Sequence, residues 1–170
     1  MAASAKRCVS SALAAATAFA ASVGWPLERG AAAPPCSALL LDGSRAISVA
    51  DYRGKVVYLD FWASWCAPCR ESFPFMNELE RDLADRGLAI VAVSVDKTAE
   101  DARGFAASHP ARFALALDRT GTCPAAYQLP GMPTSFIIDR RGVIRAVHAG
   151  FRASDAPEIR RQLSEALDEL

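Results

Sequence analysis

The feature that most constrains this chain is the nearly uninterrupted apolar run Val56-Val57-Tyr58-Leu59-Asp60-Phe61-Trp62-Ala63, followed at once by Trp65-Cys66-Ala67-Pro68-Cys69. Such a run reads as a strand covered on both faces. From Ala67 to Asp85 the pattern turns helical, with Phe73, Met76, Leu79 and Leu83 on one face. Strand, short turn and helix place Cys66 at a helix N-terminus, where the dipole and free N–H groups stabilise a thiolate. Cys69 then lies one turn further in. Two cysteines in this setting form a dithiol that cycles with a disulfide. The competing reading is half of a zinc site, which Cys36 and Cys123 would have to complete. Neither belongs to a second Cys-x-x-Cys pair, and His109 and His148 are isolated, so no metal is expected.

Composition bounds the rest. The 170 residues suffice for one domain, and 52% of them are hydrophobic, as a packed core requires. Basic and acidic residues balance at 19 each, without a basic stripe or charge block, which argues against a nucleic-acid partner. The N-terminus differs in kind. Lys6 and Arg7 precede an uncharged run from Val9 to Val23, and Ala31-Ala32-Ala33 offers the small residues that a signal peptidase reads. Residues 1–33 therefore read as a secretory signal peptide, with a domain over 34–170. Cleavage nearer Val23-Gly24 and an uncleaved anchor are the alternatives, although the run is short and weakly apolar for a membrane span. Cys36 lacks the residue context of a lipid-attached cysteine. Loss of the leader removes Cys8 and leaves Cys36, Cys66, Cys69 and Cys123, an even set in an oxidising compartment.

Along the chain, residues 39–41 and 47–49 around Asp42-Gly43-Ser44 read as a β-hairpin. After the first helix, which carries Pro74 in its interior, come a buried strand over 88–95, a helix over 99–108 and a short strand over 113–117. A short helix or turn over 121–127 follows, then strands over 134–138 and 143–149 around the turn Asp139–Gly142. The last helix starts near Ser154 or Asp155, with Asp155 and Glu158 spaced as a capping box and Ile159, Leu163, Ala166, Leu167 and Leu170 as its apolar stripe. This order implies an α/β fold: a mixed central sheet with helices on both faces and an extra N-terminal hairpin.

The segment from Val57 to Arg70, with Gly131-Met132-Pro133-Thr134-Ser135-Phe136-Ile137-Ile138-Asp139 further on, resembles the active-site and cis-proline segments of the thioredoxin-like fold. The extra hairpin, the leader and the Gly-x-Pro-Thr form resemble its TlpA/ResA-like branch of thiol–disulfide oxidoreductases. The resemblance spans about Cys36 to Leu170. It implies Cys66 as a partly exposed nucleophile and Cys69 as the resolving thiol. It implies Asp60 as a buried carboxyl relaying a proton to Cys69, against the alternative of an exposed strand-end Asp. Pro133 is implied to be cis beside the cysteines, against an ordinary trans turn, and to present Met132 to substrate. Trp65, Ala67 and Pro68 join Met132 as the substrate-facing set, with Trp62 as core. Pro68 occupies the position where strongly oxidising relatives carry His, which leans toward reductase behaviour. The resemblance also allows a structural disulfide between Cys36 and Cys123, with two buried free thiols as the alternative.

The expected function is an exported, periplasmic or extracytoplasmic, protein-disulfide reductase working as a monomer. It takes electrons from a membrane dithiol donor and serves cytochrome c maturation or copper-oxidase assembly clients. Its redox-active disulfide replaces any cofactor. The rival readings are an oxidant that introduces disulfides and a metal-handling or adaptor protein on the same fold. The peroxidatic Pro-x-x-x-Thr/Ser-x-x-Cys arrangement is missing.

Overall fold

A computed structural model of the chain describes residues 27–169. The strands are β1 (Ser37–Leu40), β2 (Ala46–Ser48), β3 (Val56–Trp62), β4 (Leu88–Ser94), β5 (Ala114–Leu117), β6 (Thr134–Ile138) and β7 (Ile144–Ala149). The α-helices are α1 (Ala67–Leu83), α2 (Ala99–Ser108), α3 (Thr122–Ala126) and α4 (Ala156–Asp168). All seven strands join one sheet in the order β2-β1-β5-β4-β3-β6-β7. β3, β4 and β5 run parallel, as βαβ crossovers require, while β6, β7 and the β1–β2 hairpin pair antiparallel.

Every residue of β3 and of β4 is buried, because both faces of the sheet are covered. Alternation divides the side chains between two cores. Val56, Tyr58 and Trp62 face the layer built by α1, α2 and α4. Val57, Leu59 and Phe61 face the other side, where Cys123, Tyr127, Val49 and the N-terminal residues Leu27, Ala31 and Ala33 pack. On that side Phe61, Tyr127 and Phe136 form an aromatic cluster with centroids 4.9–6.1 Å apart.

The structure corrects the sequence reading in several places. The hairpin begins earlier than expected, with Ser37 opposite Ser48, and half-exposed Leu39 points outward, while Ala38 and Ile47 are buried. Val49 opens a 3-10 turn instead of extending β2. The Asp155/Glu158 box does not form. Asp155 Oδ2 accepts from the Arg152 N–H at 2.9 Å across a 3-10 turn that precedes α4, and Glu158 pairs with Arg161 and Gln162. The apolar stripe of α4 packs as its spacing implies over Ile159, Leu163, Ala166 and Leu167; Leu170 lies outside the described residues.

The folded unit also starts upstream of residue 34. Gly30 N–H donates to Ile144 O at 2.7 Å, Ile144 N–H to Ala31 O at 2.8 Å and Ala33 N–H to Gly142 O at 2.9 Å, so this segment pairs with residues 142–144, where the chain enters β7. The leader expected over residues 1–33 falls outside the described residues up to position 26. A chain that starts at Pro34 forfeits three backbone hydrogen bonds and the packing of Leu27, Ala31 and Ala33. Compared by urea unfolding with one that starts at Gly24, it is expected to lose about 2–4 kcal/mol.

Candidate active site

β3 ends at Trp62, and the chain turns through Ala63–Cys66, closed by the Cys66 N–H donating to Ala63 O at 3.1 Å. Cys66 then caps α1 in extended backbone geometry (φ −83°, ψ 109°), and its Sγ accepts the Cys69 N–H at 3.2 Å. Pro68 occupies the first turn, where its missing N–H costs nothing and its fixed φ suits the helix. No acidic residue lies in that turn, so the helix dipole acts on the Cys66 sulfur undiminished. Pro74 lies inside α1 and removes one interior hydrogen bond from it.

Cys66 and Cys69 form a disulfide, S–S 2.06 Å with Cα atoms 5.3 Å apart. Cys69 is wholly covered, and Cys66 keeps 3% of its surface. The sequence reading expected a partly exposed Cys66. In the disulfide form its sulfur is turned into the core that includes Cys69 and Trp62, with half-buried Met132 packed against it. Trp65, 68% exposed, stands out from the turn, and Ala67 is exposed as well. Trp62 is core, packed against Phe73 and Phe105 at centroid distances of 5.1 and 4.8 Å.

The Met132–Pro133 peptide is cis. The loop carrying it is fixed at both ends: Thr134 Oγ1 donates to Gly131 O at 2.8 Å, and the Gly150 N–H donates to Pro133 O at 2.7 Å. That second bond draws the β7–α4 connection toward the cysteine turn. Between them runs an open groove lined by Pro68, Val147, His148, Gly150, Phe151 and Arg152. The sequence reading missed the Val147–Arg152 wall, whose residues carry no motif.

Asp60 is 1% exposed on β3, between Ala92 and Ser135 on the neighbouring strands. It shares its face with Tyr58 and Trp62, which pack in the core holding both sulfurs. Its Oδ2 has no hydrogen-bond partner among the described residues. Burial pushes the Asp60 carboxyl well above the ordinary carboxylate range. Tyr58, whose OH donates to Ser135 Oγ at 2.9 Å, is raised as well, first by burial and then by the Asp60 charge.

Cys36 and Cys123 form a second disulfide, S–S 2.04 Å, across 87 residues of sequence. Both are buried on the sheet face opposite α1, and the Cys123 N–H is held by Asp118 Oδ2 at 2.7 Å. Among the described residues no group of three or more His, Cys, Asp or Glu side chains is placed to hold a metal ion, and no helix is long and apolar enough to cross a membrane.

This geometry has known counterparts. The family model Redoxin matches residues 28–163. The chain belongs to the redoxin family. Its thioredoxin-like, ResA/TlpA-like character shows in two curated relatives: thioredoxin-like protein YneN of Bacillus subtilis is 39% identical over 127 residues, covering 73% of each chain, and thiol-disulfide oxidoreductase ResA of Bacillus thuringiensis is 35% identical over 118 residues, covering 69% of this chain and 68% of that one. Among solved structures, a putative thiol:disulfide interchange protein DsbE from Chlorobium tepidum superimposes with a TM-score of 0.80 at 43% identity, over 83% of this chain and 99% of that one. The chain is a thiol–disulfide oxidoreductase, a family that implies protein substrates.

Proposed function

We propose that this redoxin reduces disulfides in exported client proteins, with Cys66 as nucleophile and Cys69 as resolving thiol. The observation that carries the reading is the disulfide at the head of α1, beside the cis Met132–Pro133 peptide and an open groove. A client segment lies in that groove against Pro68, with Met132 and exposed Trp65 and Ala67 as further contacts. The Cys66 thiolate attacks one client sulfur and displaces the other as a thiolate, forming a mixed disulfide. Cys69, deprotonated, then attacks Cys66, closes the internal disulfide and releases the second client sulfur. The disulfide itself is the electron carrier, so no cofactor is required. A membrane dithiol donor returns the chain to the dithiol form, and the working unit is a monomer.

Two features support the reducing direction. Pro68 places no cation beside Cys66, so only the helix head favours the thiolate. The buried Asp60 carboxylate, its proton affinity raised by burial, is suited to take the Cys69 proton when the mixed disulfide is resolved. The proposed clients are apocytochrome c haem-binding motifs or the copper-site cysteines of oxidase assembly proteins. Reduced protein mixed with an oxidised Cys-x-x-Cys-His peptide tests the reading. Two electrons should pass to the peptide for each chain oxidised, and absence of transfer at equilibrium contradicts it.

Asp60 makes a separate prediction. Its proton affinity is higher in the folded than in the unfolded chain. As pH rises past the ordinary carboxyl value near 3.8, the unfolded chain ionises first, and stability falls until folded Asp60 itself ionises. Asp60→Asn should therefore be more stable than wild type at neutral pH, by about 1–3 kcal/mol, and the difference should vanish near pH 3. Denaturant unfolding of the oxidised proteins from pH 3 to 8 checks this. A proton relay further requires the substitution to slow resolution of the mixed disulfide near neutral pH, and an unchanged pH profile for Cys69 would remove Asp60 from the mechanism.

A further inference from the structure

The exchange chemistry leaves one buried carboxylate beside the reactive turn without a role. Asp96 follows β4 by two residues and is 3% exposed. Its oxygens converge on Ser64. Oδ1 accepts the Ser64 hydroxyl at 2.8 Å, and the Ser64 N–H lies 3.0 Å from Oδ2 and 3.2 Å from Oδ1. Behind it, fully buried Ser94 donates its hydroxyl to Oδ2 at 2.8 Å and accepts the Asp96 N–H at 3.0 Å. Ser94 ends β4 opposite Trp62, the last residue of β3. Asp96 therefore ties the end of β4 to a residue two positions before Cys66.

The turn needs such a tie. Its one closing bond, Cys66 N–H to Ala63 O, leaves Ser64 and Trp65 at the corner, and Trp65 projects into solvent. The Ser64 N–H and hydroxyl are both taken by Asp96. Removing the carboxylate leaves a half-buried N–H and hydroxyl unpaired and frees the corner to move.

We propose that Asp96 is a positioning residue for disulfide exchange, fixing through Ser64 the turn that carries Cys66 so that the two sulfurs stay within bonding reach once the disulfide opens. While the sulfurs are bonded, the covalent link holds the turn. In the dithiol only non-covalent contacts do, and the effective concentration of one thiol at the other depends on them. A firm turn favours closure of the internal disulfide and rapid resolution of the mixed disulfide. The inference rests on Cys66 and Cys69 being the reactive pair.

The experiment equilibrates wild type, Asp96→Ala, Asp96→Asn and Ser64→Ala with glutathione at varied ratios of thiol to disulfide, with quenching by alkylation and analysis by mass. Two glutathione thiols reduce one internal disulfide and yield one glutathione disulfide. Asp96→Ala should shift the equilibrium about five- to tenfold toward the dithiol, and Ser64→Ala about two- to threefold the same way. Asp96→Asn retains an oxygen acceptor for Ser64 and should stay within about twofold of wild type. In Asp96→Ala the oxidised form should lose more thermal stability than the reduced form, which a purely structural contact would not produce. If folded Asp96→Ala and Ser64→Ala both equilibrate as wild type does, the proposal is overturned; if Asp96→Ala does not fold, an unshifted Ser64→Ala overturns it alone. A wild-type chain whose Cys66 and Cys69 never equilibrate overturns the reactive pair and the inference together, whereas equilibration with unshifted variants overturns the inference only.

Discussion

Cys66→Ser is expected to lose disulfide reduction by about a thousandfold or more, because the attacking species is the thiolate and a serine hydroxyl stays protonated at neutral pH. Cys69→Ser should behave differently. Its Cys66 still sits at the head of α1, with the N–H of residue 69 as donor to Sγ, and still attacks. Without a resolving thiol the mixed disulfide persists and is isolable with the client attached. The asymmetry follows from position and cover: Cys69 is wholly buried one turn into the helix, and Cys66 keeps the pair's small remaining exposure. Mass analysis of each variant after incubation with an oxidised model protein distinguishes the roles. Accumulation of the adduct on Cys69 in Cys66→Ser would reverse them.

The second large effect concerns stability. Removing the Cys36–Cys123 bond by paired alanine substitution should cost about 4–5 kcal/mol, since it releases a loop with 87 residues of sequence separation. The bond joins the start of β1 to α3, across the core that holds Phe61, Tyr127 and Phe136. Asp118 further fixes α3 through the Thr120, Gly121 and Cys123 N–H groups. The Cys66–Cys69 loop is far shorter, so its opening constrains the unfolded chain little. Mild reduction that opens only Cys66–Cys69 should thus leave most of the stability intact. Urea unfolding of the paired variant measures the difference, and a loss under about 1 kcal/mol would show that the buried contacts around Cys36 and Cys123 suffice without the bond.

Much of this was legible in the sequence, for identifiable reasons. The continuous apolar runs of β3 and β4 are long and covered on both faces, and α1 carries an unbroken 3.6-residue stripe, so each declares its type locally. The Cys-x-x-Cys spacing at a strand-to-helix junction declares its chemistry in the same way. What stayed hidden depends on residues distant in sequence. Residues 30–33 pair with the chain only where residues 142–144 lead into β7, and an alanine-rich stretch carries no signal of that. Asp155 is the N-cap of α4 as expected, but its carboxylate accepts the Arg152 N–H instead of closing a box, and Glu158 pairs with Arg161. Ser64 lies 32 residues before Asp96 in sequence, and only the parallel pairing of β3 with β4 brings its segment to that of Ser94 and Asp96. Cys66 looked accessible from the motif, and the side chains that cover it come from elsewhere in the chain.

The most direct test of the account is the reduction potential of the Cys66–Cys69 pair, measured by equilibrating the chain with dithiol buffers. A reductase with proline before its second cysteine is expected at about −270 mV or below, close to thioredoxin. A value near −120 mV would mark a strong oxidant and would contradict the direction of electron flow proposed here.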